Sequence, residues 1–137
     1  MIRPSLDTVF MAMVDCLRYR AMCKRLQVAC IITRDKRVIT SGVNGPNTWD
    51  CDELRCDTSK PCAHSIHAED NAIKFALEHN VSLEGTTVYV SHQPCIDCAK
   101  ILVEYKIARV VYAEPYRLAS GLDYLIANGV EVTKFEI

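Results

Sequence analysis

No hydrophobic run in the sequence approaches the roughly 20 apolar residues that a membrane-spanning helix needs, which excludes an ordinary helical membrane protein. An excess of either charge is also lacking: 16 basic and 17 acidic residues leave a net charge of -1, with no long run of one sign. That balance counts against a protein that tracks long nucleic acids, which carries a basic excess. A small anionic substrate remains compatible, because a few local basic groups suffice to hold it. No internal repeat, low-complexity tract or linker divides the chain. Residues 1–137 are therefore expected to form one domain, and a domain near this size buries roughly two thirds of its unfolded surface. The opening MIRPSLDTVFMAMVD is broken by Asp7 and Asp15 and is followed by no small-residue cleavage site. It reads as a mature helix in a reducing cytoplasm, with neither a membrane nor a polynucleotide as partner.

Cysteine, by contrast, is abundant, with eight in 137 residues. In a secreted chain that number would suggest a disulfide framework. In a reducing compartment clustered cysteines more often bind metal.

Hydrophobic periodicity gives the order of elements. Leu6, Val9, Phe10, Met13, Val14, Leu17 and Ala21 recur at helical spacing, so a helix capped by Ser5 is expected to run to about Cys23. QVACIIT and RVITSGV are β-branched runs separated by Arg34, Asp35 and Lys36, a hairpin pattern. Residues 44–63, NGPNTWDCDELRCDTSKPCA, show no clean period and read as a long structured loop. A helix from about His67 to Glu78, the strand TTVYVS, a helix from about Ile96 to Tyr105 and the strand ARVVYAE follow. A helix from about Leu118 to Asn128 and the strand VEVTKF close the chain, with Asn128-Gly129 as the helix stop. Val130 and Val132 share one strand face while Phe135 and Ile137 take the other, so a bulge or an exit is expected near Lys134.

Strand-helix-strand units make parallel pairs, and the first hairpin is antiparallel. The expected fold class is thus α/β, a three-layer sandwich with a five-stranded mixed sheet and helices on both faces. In such sheets, sites form at the carboxyl ends of strands and the helix N-termini that follow.

HAEDNAI begins at His67 and PCIDCAK at Pro94. Cys95 and Cys98 open a predicted helix with their sulfurs on one face, where the helix N-terminus favours thiolates. Two thiolates and a neutral imidazole neutralise zinc and leave its fourth position open to water, the mark of a catalytic site. His67 and Glu69 lie about 200° apart around a helix and can converge only off its first turn. His67 then ligates, while Glu69 reaches the water and moves its proton to a substrate nitrogen. H-x-E…P-C-x-x-C is the pattern of the zinc nucleobase deaminases, in which the Glu is not a ligand. A purely structural zinc site and a redox Cys-x-x-C are the plainer readings. The second leaves His67 and Glu69 unexplained.

Over nearly its whole length the chain resembles the deoxycytidylate (dCMP) deaminases of the zinc-dependent cytidine deaminase superfamily, microbial or viral in type. Besides the two metal motifs, CKRLQVACII resembles the segment between the family's first helix and strand, and SGVNG its nucleotide-binding Gly-Tyr-Asn-Gly element. Val43 stands where that element usually has an aromatic, and Ala29-Cys30 where Gly-Ala is usual. The first departure bears on nucleotide stacking and effector contacts.

The resemblance implies hydrolytic deamination of dCMP to dUMP and ammonia, feeding thymidylate synthesis, by a homo-oligomer, commonly a hexamer. It implies substrate contacts at Asn44, Ala68, Ser91, His92 and Tyr116. As a residue type, Asn44 also suits a plain turn and His92 a strand-end histidine. Candidates for the phosphate are Lys24, Arg25 and Arg117, with Tyr116 beside them, and solvated surface is the competing reading for each. Regulation by dCTP as activator and dTTP as inhibitor is implied, with Mg2+ on the triphosphate and effector contacts at Val43, Asn44 and Gly45. Cys16 and Cys30, in apolar runs, are expected to be small core residues. Cys23, Cys51, Cys56 and Cys62 match the second, structural zinc site of some family members, with His64 a rival ligand and free thiols the plainer alternative. Competing functions are deamination of dCTP, of free cytidine or of tRNA, and a zinc-stabilised binding module without catalysis. The cytoplasm is the expected location, the host's if the chain is viral.

Overall fold

The structure, a computed structural model, describes residues 2–21, 26–46, 65–116 and 118–136. Helix α1 spans Leu6–Leu17, and the Ser5 side chain accepts a hydrogen bond from the Thr8 amide, as expected of its cap. The helix is shorter than its periodicity predicts. After Leu17 it tightens into one 3-10 turn, Arg18–Arg20, and Ala21 is already extended (ψ 133°). Its buried face is also rotated from the predicted one. Phe10, Met11 and Val14 are buried, whereas Leu6, Val9 and Met13 are 44%, 38% and 42% exposed. The stripe of residues 7, 10, 11 and 14 is what faces the sheet, and it begins with a charge. The Arg109 guanidinium grips both carboxylate oxygens of Asp7, at 2.8 and 2.7 Å, and the Tyr89 hydroxyl donates to one of them at 2.6 Å. Cys16 consequently lies on the exposed side, not in the core as expected, while Cys30 is fully buried.

Strands β1 (Ala29–Arg34) and β2 (Arg37–Val43) form the predicted antiparallel hairpin. Asp35 and Lys36 turn it with φ of 52° and 65°, the left-handed pair of a two-residue turn whose twist matches the strands. Two short strands, β3 (Gly45–Pro46) and β4 (Ser65–Ile66), pair with each other and join the two ends of the long predicted loop. They are followed by α2 (Ala68–Glu78), β5 (Thr87–His92), α3 (Ile96–Glu104), β6 (Arg109–Glu114), α4 (Ser120–Ala127) and β7 (Glu131–Lys134).

The main sheet has the order β2-β1-β5-β6-β7. β1 runs antiparallel to β2 and β5, and β5, β6 and β7 are mutually parallel. Alternate residues explain the three layers. Cys30, Ile32, Val88, Val90 and Val110 pack with Ala72 and Ile73 of α2, Leu102 of α3 and Leu125 of α4. Ala29, Ile31, Tyr89 and Val111 pack on Phe10, Met11 and Val14 of α1. Both faces are covered, which is why these strands read as continuous apolar runs. Val132 lies with the first group and Phe135 with the second by simple alternation, and β7 ends at Lys134 without a bulge. Among the described residues no helix is long and apolar enough to cross a membrane.

Candidate metal centre and active site

The side chains that carry the chemistry are set by two helix starts. His67 is the extended N-cap of α2 (φ -69°, ψ 152°), and Cys95 is the extended N-cap of α3 (φ -73°, ψ 171°). In these positions both side chains project off the helix end instead of lying along its flank. Cys98, in the first turn of α3, comes round to the same point. His67 Nδ1 is 3.2 Å from Cys98 Sγ and 3.6 Å from Cys95 Sγ, and the three donor atoms all lie within 4.8 Å of one another. Zinc bonds of about 2.0–2.1 Å to nitrogen and about 2.3 Å to sulfur, at tetrahedral angles, place N and S roughly 3.5 Å apart. The donors therefore fit zinc in both type and spacing.

Their electrostatics agree. Hydrogen bonds from Cys98 and His67 pull the Cys95 thiol down to about 3, and the Cys95 sulfur holds His67 up at about 9. The same sulfur, with burial, pushes the Cys98 thiol well up. The three donors are thus close enough to hold protons between them, positions that a dication would take. Glu69, in the first turn of α2, is 5% exposed and lies beside Cys98. Burial pushes its carboxyl above the usual range, against the opposing pull of a backbone hydrogen bond and of His67.

Each ligand-bearing turn is backed by a glycine from a neighbouring element. A Cβ on Gly42 of β2 would lie 2.6 Å from the Ala68 carbonyl oxygen, and one on Gly121 of α4 only 2.3 Å from that of Pro94. Side chains reinforce both contacts. Asn71 donates to the Val43 carbonyl at 2.5 Å and Thr40 to that of Ala72 at 2.8 Å, fixing β2 to α2. Gln93 bonds the backbone of Tyr116 and Leu118, fixing the segment before α4 to the cysteine turn. Sequence reading assigned no role to Gln93, Asn71 or Gly121, and took Gly42 only as part of the SGVNG element. The available signals were a buried-type amide abutting Pro-Cys and a glycine in the first turn of a helix.

The other candidates lie apart from the donor cluster, several of them on the α1 side of the sheet. Asn44 accepts from the Val28 amide at 2.8 Å and donates to the Leu26 carbonyl at 2.7 Å. Val43 is half-buried against the α1 side, and Gly45 and Ala68 are buried. Ser91 is buried on the α1 face, where its hydroxyl accepts from the Ala29 amide and pairs with His92 Nδ1. His92 is half-buried, and burial lowers its pKa. It lines a cavity of about 660 Å³ with Thr8, Asp15, Arg18, Glu114 and Phe135. Tyr116 is 44% exposed. Cys23, Cys51, Cys56, Cys62 and His64, and with them Lys24, Arg25 and Arg117, lie outside the described residues.

This donor set, at the helix starts of a mixed α/β sheet, is the kind that a zinc-binding deaminase domain carries. Residues 4–114 match the family model of the cytidine and deoxycytidylate deaminase zinc-binding region, and the chain belongs to that family. It is 40% identical to ComE operon protein 2 of Bacillus subtilis, over the whole of this chain and 75% of that protein. Deoxycytidylate deaminase of Saccharomyces cerevisiae is 32% identical over 98% of this chain, which spans only 46% of the yeast enzyme. The crystal structure of dCMP deaminase from cyanophage S-TIM5 in complex with dCMP and dUMP superposes with a TM-score of 0.85 at 25% identity, covering 98% of this chain and 100% of that one.

Proposed function

We propose that this chain hydrolyses dCMP to dUMP and ammonia. The observation that carries the reading is Glu69, a buried carboxyl two residues from a ligand yet outside the donor cluster. A merely structural metal site has no use for it. Support for the nucleotide comes from the cyanophage enzyme, described with dCMP and dUMP bound, and from the yeast relative's name.

His67, Cys95 and Cys98 would hold zinc, which supplies a water acidic enough to act as nucleophile near neutral pH. The work of the chain's own groups is proton transfer and positioning. Glu69 takes a proton from the attacking water as the C4–O bond forms and delivers it to N3 of the cytosine ring. A second transfer through the same carboxyl protonates the amino group, the C4–N bond breaks, and ammonia leaves. A raised pKa suits a group that must accept and then release a proton near neutrality. Asn44, whose amide both donates and accepts, suits a polar contact to the nucleotide, and Ala68, Ser91, His92 and Tyr116 complete the proposed surroundings.

The same reading includes a structural zinc on Cys23, Cys51, Cys56 and Cys62, a cytoplasmic homo-oligomer of hexameric size, and control by dCTP with Mg2+ and by dTTP through Val43, Asn44 and Gly45. The exposed Leu6, Val9 and Met13 stripe of α1 supports association. One ammonia-release assay on dCMP, dCTP, CMP, deoxycytidine and a short oligonucleotide, with zinc and mass measured on the same sample, tests it. dCMP should be the preferred substrate, with two zinc ions per chain. Preference for the oligonucleotide, or no turnover at all, overturns the assignment.

A further inference from the structure

We infer that Gln93 is a positioning residue of the active site, which holds the segment after β6 against the metal turn and thereby sets substrate affinity. This rests on the deaminase reading. Gln93 is 7% exposed and directly precedes Pro94 and Cys95. Its backbone amide donates to the Glu114 carbonyl at 2.8 Å. Its side-chain oxygen accepts from the Tyr116 amide at 3.0 Å, and its side-chain nitrogen donates to the Leu118 carbonyl at 2.8 Å.

One residue thus meets the end of β6 once and the segment after it twice. Both ends of the amide are used, one as acceptor and one as donor, so no other side chain of similar size reproduces the pattern. Asparagine is one methylene short, glutamate has no donor for Leu118, and leucine has neither function. A few residues on, Gly121 seats the first turn of α4 on the Pro94 carbonyl.

The location makes this tie more than packing. Cys95 begins the helix that carries two donor atoms, and Tyr116 leaves its ring 44% exposed at the carboxyl end of the sheet, where parallel strands place their ligands. Through the Gln93 side chain this segment is tied to the turn that begins α3. Without the amide the segment is released, while the donors, which are set by the two helix N-caps and backed by Gly42 and Gly121, remain.

The test compares Gln93→Glu and Gln93→Leu with the parent zinc enzyme. Zinc content, kcat and KM are measured on whichever of dCMP, dCTP, CMP or deoxycytidine the parent deaminates, and hydrogen exchange is read at the Tyr116 amide. Both variants should keep parental zinc and a kcat within about twofold, with KM raised about tenfold or more, as when binding geometry but not chemistry is lost. Exchange at Tyr116 should accelerate in Gln93→Leu, while amides within α3 stay protected. Unchanged KM, or a joint loss of zinc and kcat that marks a purely structural role, overturns the inference. A parent that deaminates none of these compounds fails the deaminase reading instead. Parental protection at Tyr116 in Gln93→Leu then still refutes the tie, and lost protection leaves it a structural contact without the catalytic role inferred.

Discussion

His67 Nδ1 lies 3.2 Å from the Sγ of Cys98 although the two residues are 31 positions apart and belong to different helices. Each is fixed by its own helix start, and the two starts are brought together because α2 and α3 share one face of the sheet. The site is therefore assembled by helix termini. Cys95→Ser or Cys98→Ser should abolish stoichiometric catalytic zinc and activity together, since a hydroxyl is a poor replacement for a thiolate ligand. Metal analysis after gel filtration decides it. Retained parental zinc in either variant contradicts the ligand set.

Glu69→Gln is the complementary experiment. The amide has the shape of the carboxyl and cannot carry its proton, so zinc content and melting temperature should stay at parental values. Turnover should fall by about 100-fold or more, the scale of a lost general acid-base group. Near-parental turnover in this variant would falsify the proton-transfer role.

Much of this site was readable because its chemistry is local in sequence. His67 and Glu69 are two residues apart at the start of one helix and Cys95 and Cys98 three apart at the start of another, so each pair is recognisable by its spacing. The order of strands and helices was legible for the same reason, since apolar periodicity is a property of one segment at a time. The α1 face was misjudged because its buried stripe contains Asp7, a charge that pattern reading assigns to solvent. The partner that makes Asp7 tolerable, Arg109, lies 102 residues away. Gln93 was missed in the same manner, its partners being 23 and 25 residues later and both backbone atoms. Cys16 failed as a core residue once the helix face rotated.

The Asp7 cluster gives a pH dependence. Hydrogen bonding from Arg109 holds the Asp7 carboxyl below its ordinary value, outweighing burial. A carboxyl with a depressed folded pKa contributes stability that is present above its unfolded pKa, about 3.9, and is lost as pH falls through the folded value. Asp7→Asn should therefore cost about 1 kcal/mol at neutral pH, a modest figure because the ion pair is partly solvated. The gap in melting temperature between parent and variant should shrink as pH falls below about 4. Thermal melts from neutral to acid pH check this, and a gap independent of pH would rule out Asp7 as its source.

Gly121→Ala probes the contact between α4 and the metal turn. The added methyl would meet the Pro94 carbonyl oxygen at 2.3 Å and the Cys95 backbone at 3.0 and 3.1 Å. All three neighbours are backbone atoms, which no rotamer change can move aside. Either α4 lifts or the turn that carries Cys95 shifts, and overpacking of this kind costs about 1–3 kcal/mol. Because the turn holds a ligand, the strain should also be read by the metal: zinc should be lost to a chelator faster than from the parent. Gly85→Ala is the control, with no atom within 4 Å of its added Cβ and a φ of +76° that strains the backbone alone. That variant should lower the melting temperature without altering the rate of zinc loss. Equal chelation rates in parent and Gly121→Ala would show that α4 and the metal turn are mechanically independent.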